Sequence, residues 1–189
     1  MSRSRRGALA LLLAAIVPAR AEERWPVAFG GPFTLTDQTG RRRSDADFHG
    51  TWLLVQFGYT SCPDICPLSL DTMTAALEAL GPAVSRVQPV FVTVDPTRDT
   101  PAVLASFLTG FDPRLIGLTG SEAEIAAVAK AYRVHRRKIV ADPADPAAYL
   151  VDHGSFTYLM GPDGGFLTLI PYGTDAARMA RTIASYLGG

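Results

Sequence analysis

The sequence predicts an α/β fold: a central mixed sheet flanked by helices, with a β-hairpin at its N-terminal end. Three observations carry this. Thr51-Trp52-Leu53-Leu54-Val55-Gln56-Phe57 is a near-continuous apolar run of strand length, the pattern of a strand buried on both faces. From there to Tyr132, strand-like runs alternate with stretches whose apolar residues recur at helical spacing, an order that builds parallel strands with helical crossovers. Near the C-terminus two short apolar runs flank Gly161-Pro162-Asp163-Gly164-Gly165 and precede an amphipathic segment, which reads as an antiparallel hairpin followed by a helix.

Taken in order, Phe33-Thr34-Leu35-Thr36 alternates as a strand does, Asp37-Gln38-Thr39-Gly40 has turn composition, and Arg41 to Ser44 returns as the hairpin partner. After the Thr51 run a loop covers Gly58 to Cys66. Leu68, Leu70, Met73, Ala76, Leu77 and Leu80 then mark a helix beginning near Pro67 and ended by Gly81-Pro82. Proline suits a first helical turn because the N–H it lacks would have no helical partner there. Val87 to Val94 predicts the next strand, Asp95 to Pro101 a loop, and the residues through Phe107 a short helix. Leu115 to Leu118 predicts a third strand. Ser121 with Glu124 forms a capping box for a helix carrying Ile125, Val128, Ala129 and Tyr132. Val134 to Val140 predicts an exposed strand, since Arg136, Arg137 and Lys138 do not fit a core. Phe156 to Met160 and Phe166 to Ile170 form the closing hairpin, and Thr174 to Leu187 a last helix with Met179, Ile183 and Leu187 on one face. A largely parallel centre closed by a hairpin and a helix is thioredoxin-like.

No repeat, low-complexity stretch or dividing linker interrupts residues 22–189, which read as one domain. Residues 1–21 read as a signal peptide: Arg3, Arg5 and Arg6 are the basic region, Ala8 to Val17 the apolar run, and Ala19-Arg20-Ala21 the small-x-small cleavage pattern. A spanning helix needs about 20 apolar residues, more than this run supplies, so a cleavable signal and export to the periplasm are expected. An uncleaved inner-membrane anchor facing the periplasm is the alternative. Arg5-Arg6 leaves both the general and the twin-arginine export routes open. Without residues 1–21 the chain carries 14 basic and 18 acidic side chains. A charged fraction of 19% with no block of one sign excludes a nucleic-acid footprint, and a single chain is expected to act as a monomer.

The chemistry rests on the chain's two cysteines, too few for a disulfide scaffold or a four-thiolate zinc site. Cys62 and Cys66 fall between a buried strand and the start of a helix. Unpaired backbone N–H groups and the positive dipole end favour a thiolate there. The C-x3-C spacing brings both sulfurs to one side of a turn, ready to close a disulfide or chelate one ion, and two thiolates are a soft donor set that selects Cu(I). The simplest alternative is a structural disulfide in an exported protein.

A third ligand has to come from elsewhere. His49 and His135 sit in polar surroundings and read as solvated surface residues. His153 precedes the strand Phe156 to Met160, which runs beside the strand leading to the cysteines, so its imidazole is placed to face them. Its alternative role is a strand-end histidine bonded to backbone, and a histidine facing the sulfurs is expected to be free of such a bond. No proline lies between Leu150 and Gly161, so the cis-proline that faces the cysteines in thioredoxins is missing. Asp95, Arg98 and Asp99 read as a loop-fixing charge cluster or a docking surface, and Asp64 is not counted as a ligand.

Phe57-Gly58-Tyr59-Thr60-Ser61-Cys62-Pro63-Asp64-Ile65-Cys66-Pro67, Val94-Asp95-Pro96-Thr97-Arg98-Asp99-Thr100-Pro101 and Val151-Asp152-His153 followed by Phe156-Thr157-Tyr158-Leu159-Met160 resemble the three signatures of the Sco/SenC family. The likeness runs from about Gly30 to the C-terminus. It implies a thioredoxin-like fold and copper held, as Cu(I) or Cu(II), by Cys62, Cys66 and His153. It also implies a role as a copper chaperone that supplies or prepares the binuclear copper site of cytochrome c oxidase subunit II or of another exported copper protein, with a copper donor chaperone as a further partner. Where family members commonly have Ser after the histidine this chain has Gly154, a departure that bears on a supporting hydrogen bond. The alternative activity is a thiol-disulfide oxidoreductase with Cys62 and Cys66 as its redox pair, which needs no His153. A thiol peroxidase fits poorly, because Thr60 stands two residues before Cys62 and no proline occupies Gln56 to Ser61.

Overall fold

The computed structural model describes residues 29–188; the expected signal segment, residues 1–21, lies outside them. The chain forms β1 (Thr34–Asp37), β2 (Arg42–Ser44), β3 (Trp52–Gly58), α1 (Ile65–Ala79), β4 (Val87–Thr93), α2 (Pro101–Leu108), β5 (Ile116–Thr119), α3 (Glu122–Ala131), β6 (Arg136–Val140), β7 (Tyr149–His153), β8 (Thr157–Met160), β9 (Phe166–Ile170) and α4 (Ala176–Leu187), with short 3-10 turns at Asp45–Phe48 and Gly81–Arg86. Seven strands make one sheet in the order β2-β1-β5-β4-β3-β8-β9. Only β3, β4 and β5 run parallel, and every other pairing in it is antiparallel. The centre is therefore parallel and the sheet as a whole mixed, a narrower parallel part than the alternation of elements implies.

The continuous apolar runs in β3 and β4 exist because both sheet faces are covered. Leu53, Val55, Phe57, Val90 and Val92 point to one face, where α3 supplies Ile125, Val128 and Ala129. Leu54, Val87 and Phe91 point to the other, where α1, α2 and α4 supply Leu70, Met73, Leu104, Met179 and Ile183. Each fully buried side chain of this size contributes roughly 1.5–3 kcal/mol, and the period-2 alternation of a strand delivers one to each layer in turn.

Three features differ from the sequence expectation. α1 begins at Ile65 with Asp64 at the N-cap, so Cys66 lies inside the first turn rather than in the loop before it. Pro67 is still tolerated there, because the first helical backbone bond runs from Leu68 N–H to the Asp64 carbonyl. The basic run at 136–138 does form a strand, but β6 pairs with β7 in a separate two-stranded sheet. β7 itself escaped the sequence pattern, although Tyr149, Val151 and His153 face inward from it while Leu150 and Asp152 are exposed. The basic clusters are partly paired, Arg42 with Glu124, Arg43 with Asp37 and Arg136 with Glu122.

The capping box at α3 is as the sequence predicts: the Ser121 hydroxyl accepts from Glu124 N–H, and the Glu124 carboxylate accepts from Ser121 N–H. Ser121→Ala removes one half of it and is expected to cost about 1 kcal/mol, read as a lower urea midpoint with an unchanged slope.

Candidate metal centre

The site sits where β3 ends and α1 begins. Gly58 closes β3 and its carbonyl accepts from Val94 N–H at 2.7 Å, pinning the cysteine loop to the end of β4. A Cβ on Gly58 would stand 2.7 Å from Phe91 Cε2 and 3.0 Å from Cys66 Sγ. Glycine is what lets the Cys66 sulfur pack against the strand. Cys66 is fully buried, whereas Cys62 is partly exposed, and both are free thiols.

The two sulfurs differ in acidity for identifiable reasons. Burial alone would raise the Cys62 pKa, but backbone N–H groups of Asp64, Cys66 and Ile65 and the Cys66 thiol point at its sulfur and bring it below the ordinary value. This is the helix N-terminus acting on a thiolate. Burial pushes the Cys66 thiol far up, and the neighbouring Cys62 and Asp99 add to that. At neutral pH Cys66 is a thiol beside a sulfur already inclined to ionise.

His153, at the end of β7, brings its Nε2 to 3.6 Å from Cys66 Sγ across 87 residues of sequence. Its Nδ1 lies 2.9 Å from the Gly154 carbonyl, which can only accept, so Nδ1 donates and Nε2 carries a lone pair toward the sulfur. Burial lowers the imidazole pKa, with His135 adding to this and the Gly154 bond and Asp152 opposing it, so the ring is neutral at physiological pH. The expectation that a histidine facing the sulfurs lacks a backbone bond is corrected: the backbone bond fixes the tautomer that turns Nε2 inward, the arrangement typical of metal-binding histidines. Because the acceptor is main chain, the absence of a Ser hydroxyl at position 154 leaves it intact. His49 and His135 are exposed, His135 beside Asp152 at 3.5 Å.

Tyr59, Thr60, Thr93 and Tyr149 support the site, a role the sequence reading did not give them. The Tyr59 hydroxyl accepts from Val151 N–H in β7 and contacts Cys62; burial raises its pKa, so it remains a phenol. Its ring meets the His153 ring edge-on at 5.8 Å. Asp99, fully buried, accepts from Thr60 N–H at 3.1 Å, from the Thr60 hydroxyl at 2.6 Å and from the Thr93 hydroxyl at 2.6 Å. Asp95 pairs with Arg98. The Asp95–Asp99 segment thus fixes loops rather than offering free charge. Of the two readings the sequence left open for Asp95, Arg98 and Asp99, the loop-fixing cluster is the one these bonds match.

The three expected ligands form a chain of contacts, Cys62 to Cys66 to His153. Among the described residues no trio of His, Cys, Asp and Glu side chains stands gathered as a closed ligand set. A cleft of about 350 Å³ opens over them, lined by Tyr59, Cys62, Ile65, Ile139, Leu150 and His153 among others. Chemically, the arrangement offers an accessible sulfur inclined to ionise, a buried second sulfur and a neutral nitrogen, all fit to take up a soft ion or to exchange thiols.

A family model described as SCO1/SenC matches residues 21–188. The human mitochondrial SCO1 homologue is 39% identical over 160 residues, covering 84% of this chain and 52% of that protein, so the chain spans about half the length of that relative. The structure of Bradyrhizobium japonicum ScoI with copper bound superposes with a TM-score of 0.76 at 41% identity, covering 84% of this chain and 99% of that one. BsSco, described as a member of the Sco family of cytochrome c oxidase assembly proteins with a disulfide switch, superposes with a TM-score of 0.65 at 28% identity, covering 87% and 95%.

Two outcomes test this geometry. Iodoacetamide should alkylate Cys62 of the reduced protein with a half-maximal rate at a pH below the ordinary thiol value of about 8.5, while Cys66 stays unmodified in the folded state; mass mapping that finds Cys66 modified first contradicts the burial difference. Asp99→Ala strands the Thr60 and Thr93 donors and should cost about 2–3 kcal/mol in urea unfolding.

Proposed function

This chain belongs to the SCO1/SenC family, and from that premise we propose that it is a copper-binding protein of cytochrome c oxidase assembly that holds its cargo through Cys62, Cys66 and His153. Within that role it acts after export, in the periplasm, and supplies copper to the binuclear site of oxidase subunit II or prepares that site. The observation that carries the reading is the His153 Nε2 lone pair aimed at Cys66 from 3.6 Å, with Nδ1 committed to the Gly154 carbonyl. A disulfide-exchange site does not require an imidazole so oriented; a Cys2His metal site does.

The two cysteines divide the work. Cys62, accessible from the cleft, is the sulfur that an incoming thiolate of the acceptor replaces, so that Cu(I) passes from one donor set to the next by ligand exchange without becoming free. Cys66 and His153 form the buried half that retains it. An imidazole beside the thiolates also accommodates Cu(II), for which two thiolates alone are a poor, self-oxidising set. Binding to Cys66 displaces its proton, and the cost of ionising a buried thiol makes uptake fall as pH falls. The match of BsSco supports the disulfide chemistry as a companion property of the same pair; electrons then leave the dithiol to a partner disulfide, which is reduced as Cys62 and Cys66 are oxidised.

The test is copper uptake by the reduced protein and its variants. One Cu(I) per chain is expected. His153→Ala should lower retention against a competing chelator by 10-fold or more, on the order reported for lost metal ligands and their supports, while leaving Cys62 and Cys66 able to form a disulfide. Unchanged copper retention in His153→Ala, together with lost disulfide reduction of a partner, would leave the thiol-disulfide oxidoreductase as the surviving reading.

A further inference from the structure

His153 reaches the sulfurs from a strand that does not belong to the main sheet. β7 pairs only with β6, and residues 141–148, which join the two strands, are exposed throughout. An antiparallel pair of this length is marginal by itself, so something else must hold its inner edge at the site. The groups that do so come from the loops after β3 and β4. Arg98 Nη1 donates to the Tyr149 carbonyl at 3.1 Å, at the start of β7. The Tyr149 hydroxyl donates to Asp95 Oδ1 at 2.8 Å, and Arg98 Nε pairs with the other oxygen of the same fully buried carboxylate. The guanidinium also lies 3.9 Å from the centre of the Tyr149 ring and 5.7 Å from that of Tyr59.

We propose that Arg98 is a positioning residue for metal binding, clamping the start of β7 to the loop after β4, beside the cysteine loop, so that the His153 imidazole stays against the sulfurs. This deepens, and rests on, the copper reading above. The guanidinium does three things at once: it bonds β7 main chain, pairs with Asp95 and lies over the Tyr149 ring with the Tyr59 ring of the cysteine loop nearby. A planar fork permits this and an ammonium does not. Arg136 in β6, opposite His153 in the register, ties β6 at the His153 end of the hairpin to the Val94 carbonyl at 3.1 Å, whereas Arg98 holds β7 itself at the Tyr149 end. With β6 so tied, removing the Arg98 clamp loosens β7 without releasing the whole hairpin.

The test compares Arg98→Lys, which keeps a cation beside Asp95, and Arg98→Met with the unaltered full chain. In the reduced, metal-free protein, amide exchange of Val151 and His153 should accelerate in both variants while amides of β3 and β4 keep their protection. Against a competing Cu(I) chelator both variants should lose affinity, on the order of 10-fold. In a His153→Ala background Arg98→Lys should cost no further affinity, because its effect runs through the imidazole. Unchanged exchange in β7, or a full additional loss of affinity on top of His153→Ala, overturns the proposal. If the unaltered chain takes up no copper, the copper reading falls, whereas the exchange data still decide whether Arg98 clamps β7.

Discussion

The contact between Cys66 and His153 is the constraint on which the rest of the site depends. A thiol with no exposed surface and a half-buried imidazole meet at 3.6 Å, in surroundings where neither ionises readily by itself. A neutral pair of this kind is comfortable without metal and becomes a donor set when a soft cation displaces the thiol proton. The backbone carbonyl of Gly154 decides which nitrogen faces the sulfur, and so the direction of the lone pair is written in main chain rather than in a replaceable side chain.

Around that contact the molecule is organised as three pieces brought to one place. The strand–helix junction of β3 and α1 presents the sulfurs, and Gly58 keeps the strand thin enough for Cys66 to enter the core. The loop after β4 turns its carboxylates inward, Asp99 onto Thr60 and Thr93, Asp95 onto Arg98 and Tyr149. The β6–β7 hairpin brings the histidine. Because it is tethered to the sheet by side chains and not by ladder bonds, it is the piece whose position costs least to change. Elements held this way sit at the less stable end of a fold, where local rearrangement costs least.

The same asymmetry appears between the sulfurs. Helix N–H groups aimed at Cys62 keep a partly exposed sulfur ready to act, while burial keeps Cys66 protonated and out of reach. The accessible sulfur and the buried one are thus chemically distinct, and this division suits ligand exchange and thiol exchange equally well. What separates the two activities is the imidazole, which only the first requires.

Sequence by itself determined every element but β7, and their order, because each rests on local rules: alternation and continuous apolarity for strands, helical spacing and the Ser121–Glu124 box for α3, glycine and proline at the turns. It also determined the candidate donors, since only two cysteines and three histidines exist to choose from and one spacing fits a strand–helix junction. Tertiary structure alone decided how these donors face one another. The approach of His153 to Cys66, the docking of strand β7 and the inward use of Asp95 and Asp99 all follow from contacts between segments tens of residues apart, such as Cys66 with His153, Asp99 with Thr60 and Arg98 with Tyr149. No periodicity within a single segment carries that information, because the energy of such contacts depends on which loops the folded sheet sets side by side.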